Sequence, residues 1–264
     1  MIKRITAAET LGIAEKFLRD DRLTPPILAD RPVAEYLARF ELILGHYRGD
    51  ELTGAIVFII DADSRYYEAV WVLTEDAEAV REAVQYLKDN HPDFSGDWVM
   101  NPRNTVALNA LKELGAEVVE SLEGYIFDGV VKFDADEGII PLDEKHYAEY
   151  IAMHSKDVYW TAEKVIASEK FATWLAVENG LVVGYIDIFL DQNLSEIYDW
   201  QAPNDVTKSA LVRAAISGAG SQVMMMLEGD SEADILKDIG FKRIPRRDNI
   251  TLSLDLNTFT EVLA

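Results

Sequence analysis

The sequence predicts two related α/β domains in tandem, each with a mixed, mostly antiparallel sheet flanked by helices. Three observations lead to this prediction. The chain has 264 residues with 49% hydrophobic content, which is enough for two cores of ordinary domain size. A strand–turn–strand pattern occurs twice along the chain. Each copy is followed by helical periodicity and by a helix that ends at glycine.

The repeat is clearest in a pair of predicted β-hairpins at residues 42–60 and 172–190. In both segments an apolar strand leads into a polar turn that contains glycine, and a second apolar strand follows. Gly54 and Gly184 occupy the same place in the second strand, 130 residues apart. A duplicated domain explains both the pattern and the spacing.

The repeat continues beyond the hairpins. Candidate third strands at residues 66–73 and 196–202 are each followed by a helical pattern and a short strand. Each half then has a helix that ends at glycine, Gly115 in the first and Gly240 in the second. Glycine at that point can take the left-handed conformation that satisfies the last carbonyls of a helix.

The junction is predicted near residues 129–140, where a strand-like segment meets an acidic stretch that contains glycine. This divides the chain into an N-terminal domain, residues 1–132, and a C-terminal domain, residues 133–264. Both are of typical domain size.

Charge and composition exclude several classes of protein. The formal net charge of -22 opposes nucleic-acid binding, whereas it would attract a basic small molecule or a peptide amine. The same charge can also serve solubility alone. Because there is no cysteine, and because the four histidines do not pair at metal-ligand spacing, neither disulfides nor a metal are expected. Without a long apolar run or an apolar signal segment, we expect a cytoplasmic protein with no membrane partner.

The order of predicted elements and several segments of sequence resemble the GNAT acyltransferase superfamily. The most recognisable segments are AVENGLVVGYI at residues 176–186 and LKDIGF at residues 236–241. In the first half, residues 104–107 with Leu111 and Gly115 fit the spacing of the family's last-helix motif. The resemblance covers nearly the whole chain, once per half.

The resemblance implies acetyl-CoA as co-substrate and an amine as acceptor. In the family, acetyl-CoA lies where the fourth and fifth strands diverge, and its pyrophosphate rests on backbone N–H groups of a glycine-rich loop that enters the third helix. A backbone amide of the fourth strand polarises the thioester carbonyl. A carboxylate or an ordered water removes the amine proton, and a tyrosine in the last helix often protonates the leaving thiolate.

Both halves depart from this pattern at the pyrophosphate loop. In the first half, residues 74–78 lack glycine and include three carboxylates, so this half is expected to be structural. In the second half, residues 204–210 also lack glycine. The cofactor residues predicted there are Trp200, Gln201, Ala202, Val206, Thr207, Lys208, Ser209 and Ala210. Lys208 and Thr207 favour a phosphate and Asp205 opposes it, while an ordinary helix cap would explain the same residues.

Three residues of the second half's predicted fourth strand are the catalytic candidates. Strand alternation places Glu196 and Tyr198 on one face and Asp199 on the other. Glu196 is the preferred general base and Asp199 the second choice, although an exposed carboxylate at a strand end would look the same. The family's tyrosine is missing, because Leu236 stands at its position, and Tyr198 is the candidate substitute.

The acceptor is expected at residues 154–161, between the second half's two early helices, where the family meets its acceptor. Tyr159 and Trp160 could wall a pocket, and His154 could move a proton near neutral pH. Aromatic residues at this point also commonly cover a core.

Two functions of different classes follow from these features. The first is an acetyl-CoA-dependent N-acetyltransferase, active in the second half, that acts on a basic small molecule or peptide amine. The alternative is a non-catalytic protein of the same fold that binds a ligand or a protein partner. The incomplete loop and the missing tyrosine favour the alternative, whereas the element order and the acidic charge favour the enzyme. The tandem fold suits a monomer and permits a homodimer.

Overall fold

A computed structural model describes residues 1–23, 32–134, 136–156, 158, 160–229 and 232–257 of the chain. They form two compact units, each described by itself below. The first comprises residues up to Glu123 together with the chain from Pro245 onward, and the second comprises Gly124–Ile244.

The helices and strands follow one another in the order that the duplication predicts. In chain order they are β1 (Ile2–Arg4), α1 (Ala7–Phe17), α2 (Val33–Leu37), β2 (Leu42–Arg48), β3 (Glu51–Asp61), β4 (Tyr66–Leu73), α3 (Ala77–Asn90), β5 (Ser95–Met100), α4 (Thr105–Glu113), β6 (Glu117–Phe127), β7 (Ile139–Pro141), α5 (Tyr147–Met153), α6 (Ala162–Ile166), β8 (Phe171–Glu178), β9 (Leu181–Phe189), β10 (Leu194–Gln201), α7 (Asp205–Ala219), β11 (Gln222–Glu228), α8 (Ala233–Ile239), β12 (Lys242–Arg243) and β13 (Asn249–Asp255). Short 3-10 helices lie at Glu144–His146 and Pro245–Arg247.

Local sequence accounts for where the helices begin and which face they bury. Thr6 and Glu9 form a reciprocal capping box at the start of α1, which satisfies two backbone donors that the helix leaves free. The apolar residues of α3 recur at helical spacing, and they form its buried face: Ala79, Val80, Ala83, Val84 and Leu87.

The sheet of the first unit has the strand order β1-β2-β3-β4-β5-β13-β6. Only β4 and β5 run parallel among the pairs of this unit that the described residues form. One core cluster combines apolar residues of α1 and α2 with β2, β3 and β4, and a second combines α3 and α4 with the sheet. The unit is therefore an α/β layer structure with helices on both faces.

The sheet of the second unit has the strand order β7-β8-β9-β10-β11-β6, with β12 beside the second part of β6. Its meander of β7, β8, β9 and β10 is antiparallel, and β10 pairs with β11 in parallel. A core cluster joins α7 and α8 to the sheet, and a smaller one joins α5 and α6 to β8 and β9. The observed architecture, two α/β units with mixed sheets flanked by helices, agrees with the fold class that the sequence predicts.

Two strands lie across the predicted boundary between the halves. β13 belongs to the predicted C-terminal half but lies in the first unit, and the latter part of β6 belongs to the predicted N-terminal half but lies in the second unit. Residues 117–122 of β6 pair with β13 in the first unit, and residues 125–126 pair with β12 in the second. The compact units therefore differ from the predicted division at residues 132 and 133. Apolar burial explains the difference, since Leu252 and Leu254 of β13 are buried in the first unit's core. The halves 1–132 and 133–264 stay a prediction about where the duplicated sequence divides.

The two repeated glycines lie at equivalent places. Gly54 pairs with His46 and Gly184 with Ala176, and in both hairpins the register shifts at the next residue. A side chain at Gly184 would bring Cβ to 2.5 Å from the Gln201 carbonyl oxygen, so only glycine permits this approach of β9 to the end of β10. The two helix-ending glycines, at φ +90° and +112°, both take the left-handed conformation that the sequence predicts.

In both units the fourth strand leaves the fifth strand half-way along its length. β4 pairs with β5 only over Tyr66–Ala69, and β10 pairs with β11 only over Leu194–Ile197. A one-residue bulge directly follows each paired stretch, at Val70 in β4 and at Tyr198 in β10.

The described part of the chain contains no helix that is long and apolar enough to cross a membrane.

Candidate active site

A pocket of about 170 Å³ lies within the second unit, beside the point where β10 leaves β11. Its polar lining comes from the end of α5, from β9 and from β10, and its apolar lining from the segment around α6 and from β8 and β10. The lining residues are His154, Val158, Trp160, Val165, Phe171, Asp187, Tyr198 and Asp199. It therefore combines apolar walls with two carboxylates and one imidazole.

The bulge in β10 brings two neighbouring residues to this pocket. Ile197 pairs with Ile188 and Asp199 with Asp187, so Tyr198 is the extra residue of the bulge. A bulge interrupts the alternation of side chains along a strand, and Tyr198 and Asp199 both line the pocket. The prediction that these two side chains lie on opposite faces of the strand was wrong for this reason.

Glu196, the preferred base, is not among the residues that line the pocket. It lies before the bulge, and its charge influences Tyr198. Partial burial, and then the Glu196 charge, raise the pKa of Tyr198 to about 12. The Tyr198 hydroxyl consequently keeps its proton at neutral pH.

His154 is the centre of the pocket's polar end, where it is 4% exposed. Its Nδ1 lies 2.8 Å from the Ser155 carbonyl oxygen, which can only accept, so Nδ1 carries a hydrogen. Its Nε2 lies 3.0 Å from Asp187 Oδ2 and 3.7 Å from Asp199 Oδ2, so this nitrogen also faces acceptors. An imidazole that donates at both nitrogens is the cation.

The pKa of His154 agrees with this assignment. Burial lowers the pKa, but the hydrogen bonds to Asp187 and to the Ser155 carbonyl, together with the charges of Asp187 and Asp199, outweigh burial and raise it above its ordinary value. The ring also stacks on Tyr185, with centroids 5.2 Å apart and planes at 20°.

Hydroxyl donors hold the two aspartates in place. Asp187 accepts from Tyr150 at 2.8 Å and from Thr173 at 2.5 Å, and it is fully buried. Asp199 accepts from the Tyr185 hydroxyl at 2.6 Å and from the Trp200 backbone N–H at 2.8 Å. Every one of these partners donates, so both carboxylates act as hydrogen-bond acceptors in the network. Burial and the neighbouring aspartate charges accordingly raise the pKa of Tyr150 and of Tyr185.

The same three polar side chains could hold a divalent cation, because ligand atoms of His154, Asp187 and Asp199 all lie within 4.8 Å of one another. One imidazole and two carboxylates suit a transition metal. In the arrangement described here, Nε2 donates to Asp187 and both carboxylates already accept hydroxyl hydrogens. The sequence spacing of the histidines could not indicate this cluster, since its members come from three separate elements.

Two of the three predicted acceptor residues, His154 and Trp160, line the pocket. Tyr159 lies outside the described residues. Asp187 was missed by the sequence reasoning, although a single carboxylate between Ile186 and Ile188 in an apolar strand is a signal that could have indicated it.

The predicted cofactor residues lie at the end of β10 and the start of α7. Asn204 caps α7 by accepting from the Thr207 backbone N–H at 2.9 Å. Lys208 forms an ion pair with Glu232, and its Nζ lies 5.2 Å from the centre of the Trp200 ring. Val206 is 79% exposed. Of the others, Gln201 is exposed, Ala202 and Ser209 are half-buried, and Ala210 is buried in the core.

The corresponding region of the first unit is closed by its own side chains. Asn104, which precedes α4, donates at 3.4 Å to the carbonyls of Val72, on the part of β4 that has left β5, and of Thr74, directly after β4. Asp76 caps α3 and binds Arg48. In the second unit, by contrast, the residue that precedes α8 is Glu232, which binds Lys208. That the first half is structural stays a prediction.

Comparison with known proteins gives structural neighbours but no sequence match. No family model and no curated protein matches the sequence. A GCN5-related N-acetyltransferase from Sphaerobacter thermophilus is 12% identical, with 99% of this chain and 97% of that chain covered and a TM-score of 0.68. A tandem GNAT protein from the clavulanic acid biosynthesis pathway is 11% identical, with coverages of 97% and 98% and a TM-score of 0.53. An acetyltransferase of the GNAT family from Colwellia psychrerythraea is 8% identical, with coverages of 96% and 98% and a TM-score of 0.53.

Proposed function

Since this chain has the GNAT fold in tandem, we propose that it is an N-acetyltransferase that transfers the acetyl group of acetyl-CoA to an amine in the second unit. The observation that carries the proposal is the position of Asp199. This carboxylate lines an apolar pocket and also lies on the part of β10 that has left β11. A base at that point can accept the proton of an amine in the pocket, and the amine would then lie close to a thioester between the diverging strands.

The divergence of the strands supports acetyl-CoA as the acetyl donor. Among the described residues, β10 pairs with β11 only as far as Ile197, so residues 198–201 form no ladder with β11, although the Trp200 N–H already donates to Asp199. A free strand amide there would polarise the thioester carbonyl. The start of α7 would offer amides to the pyrophosphate, and Lys208 would add its charge after leaving Glu232.

The reaction needs two proton movements. The amine arrives as an ammonium ion and gives one proton to Asp199, and the neutral nitrogen then attacks the thioester carbonyl carbon. When the carbon–sulfur bond breaks, the second proton of the nitrogen passes through water to the thiolate, and Asp199 releases the first proton to solvent. The Tyr198 hydroxyl, which stays protonated, would donate a hydrogen bond to the departing sulfur.

His154 and Asp187 act as positioning residues in this scheme. The His154 ring lies between the two aspartates, with Nε2 3.0 Å from Asp187 Oδ2 and 3.7 Å from Asp199 Oδ2, and so holds Asp199 in position. Asp187 is fully buried and holds the ring through Nε2.

Exchange of the two candidate bases tests the proposal. Asp199→Asn should lower kcat for acetyl transfer to a panel of primary amines by roughly 10²–10⁴-fold, which is the usual contribution of a general base. Acetyl-CoA affinity, measured by calorimetry, should stay near the micromolar range of about -8 kcal/mol. Glu196→Gln should transfer at nearly the parent rate.

Two results would contradict the proposal. A large loss in Glu196→Gln with a parent-like Asp199→Asn would return the base to Glu196. No heat with acetyl-CoA at millimolar concentration, and no acetylated amine, would favour the non-catalytic alternative.

A further inference from the structure

We propose that the pocket of the second unit binds a small monoamine with an apolar body about the size of one aromatic ring. Benzylamine and short alkyl amines belong to this class, whereas diamines, amino acids and peptide amines do not. The inference rests on the proposed function for the reaction, but the binding of the amine can be measured without any transfer.

The size of the pocket limits the body of the ligand. A cavity of about 150 Å³ with apolar walls accommodates benzene, and this pocket measures about 170 Å³. One ring, or a chain of similar volume, therefore fits in it.

The walls favour an apolar body next to a cation. The Trp160 and Phe171 rings lie 4.8 Å apart, and the Phe171 and Tyr198 rings lie 5.7 Å apart. Val158 and Val165 complete the apolar lining. Aromatic faces attract apolar groups by contact and cations through the ring quadrupole.

The acidic side chains at the polar end of the pocket favour a cationic ligand. Two carboxylates, Asp187 and Asp199, face a single imidazole, His154, so acidic groups outnumber the basic one at this end of the pocket. The Asp187 side chain is 1% exposed and the Asp199 side chain 29% exposed, so a ligand can reach only the second. The ammonium group is consequently expected at Asp199.

The lining also excludes amines that carry other charges. None of the described lining residues is lysine or arginine, so the carboxylate of an amino acid would lie unpaired beside two aspartates. A second ammonium group, or the amides of a peptide, would lose their water against the apolar walls without a partner.

Calorimetric titration in the absence of acetyl-CoA tests the inference. The probes are benzylamine, the uncharged benzyl alcohol, and phenylalanine, which adds a carboxylate. Benzylamine should bind at least tenfold more tightly than the other two. Asp199→Asn should weaken benzylamine at least tenfold, whereas Asp238→Asn, an exposed carboxylate of α8, should leave it unchanged. Thermal unfolding of both variants checks that they are folded.

The outcomes separate this inference from the proposed function. Benzylamine binding that depends on Asp199, without any acetyl transfer, supports the pocket's ligand class and contradicts the enzyme. Acetylation of lysine peptides without benzylamine binding overturns the ligand class and leaves the enzyme. Binding of Mn²⁺ or Zn²⁺ that depends on Asp199, in place of benzylamine, identifies a metal site and also overturns it.

Discussion

At the scale of single residues, the most informative feature is a buried histidine that donates at both nitrogens. His154 is enclosed by Asp187, Asp199 and the Ser155 carbonyl, all of which are acceptors. Folding therefore favours the protonated ring even though burial alone opposes it. The charge of this one residue links the stability of the second unit to pH.

The first prediction concerns that link. The folded-state pKa of His154 lies above the unfolded value of about 6.5, so its stabilising contribution is complete below about pH 6.5 and is lost as the pH rises through the folded pKa. Urea unfolding of the parent and of His154→Gln should therefore show a free-energy gap at pH 6 that narrows at pH 9.

His91 provides a control of opposite sign. Burial, and then the charge of Arg4, lower the pKa of His91. Protonation of this ring therefore opposes folding, and the parent loses stability relative to His91→Gln as the pH falls. The gap between the parent and His91→Gln should change in the opposite direction. A gap for His154→Gln that does not vary with pH would show that folding leaves the pKa of His154 unchanged.

At the scale of secondary structure, the units differ in what lies over the diverging fourth strand. In the first unit, the Asn104 amide donates to the carbonyls of Val72 in β4 and of Thr74 directly after it. In the second unit, Lys208 of α7 and Glu232 before α8 form an ion pair, with Lys208 above the Trp200 ring. Hydrogen bonds to the backbone cover the diverging strand of the first unit, whereas an ion pair that can separate covers that of the second unit.

We predict from this difference that Glu232→Gln strengthens the binding of CoA. The change releases Lys208 for the pyrophosphate, and the expected gain is roughly fivefold, the equivalent of about 1 kcal/mol for such a pair. Lys208→Glu should weaken CoA binding, measured by calorimetry.

The matched control lies on the equivalent helix of the first unit. Arg81 of α3 pairs with Glu113, and Arg81→Glu should leave CoA affinity unchanged. Equal losses in Lys208→Glu and Arg81→Glu would place the CoA site elsewhere.

At the scale of the whole molecule, the boundaries of the two compact units do not coincide with the predicted boundary between the duplicated halves. The first unit needs β13, which the chain reaches last among its strands, and the second unit needs the latter part of β6. Tyr125 and Phe127 of β6 belong to the second unit's core, as Leu252 and Leu254 of β13 belong to the first. A cut at the predicted junction would divide both cores.

Fragments of the chain should show this directly. Residues 124–244 should unfold cooperatively as an isolated fragment, because that segment includes every strand of the second unit. Residues 133–264 should not, since they lack Tyr125 and Phe127. Circular dichroism during heating distinguishes a cooperative transition from none.

The first unit offers a complementary rescue. Residues 1–123 alone should be unfolded, and joining residues 245–257 directly after Glu123 should restore folding. The connection is short because Leu122 pairs with Asn249. A cooperative transition in both 1–132 and 133–264 would contradict the exchange of strands.

Much of the fold could be predicted from sequence because it depends on local patterns. Alternating apolar residues, glycine turns and helix-ending glycines such as Gly115 and Gly240 each reflect a conformational requirement of a few residues. The same reasoning predicted the acceptor at residues 154–161 and a general base on the fourth strand, since it followed the order of elements.

The remaining features depend on pairing between distant segments. The bulge at Tyr198 exists only relative to β9, so strand alternation gave the wrong face for Asp199. Asp187 reaches His154 through the arrangement of β9 beside α5. The place of β13 could not be predicted either, because an apolar strand fits either core and proximity in sequence favours the wrong one.

The position of β13 has a consequence for synthesis on the ribosome. Translation adds roughly 5–20 residues per second, so the strand that fits between β5 and β6 emerges roughly 6–25 seconds after Glu123. During that interval the hydrogen-bonding edge of β5 and the apolar side chains beneath it are uncovered, and an uncovered strand edge can pair with another nascent chain. Translation speed, and the chaperones that shield such edges, are therefore expected to control how much of this protein folds correctly.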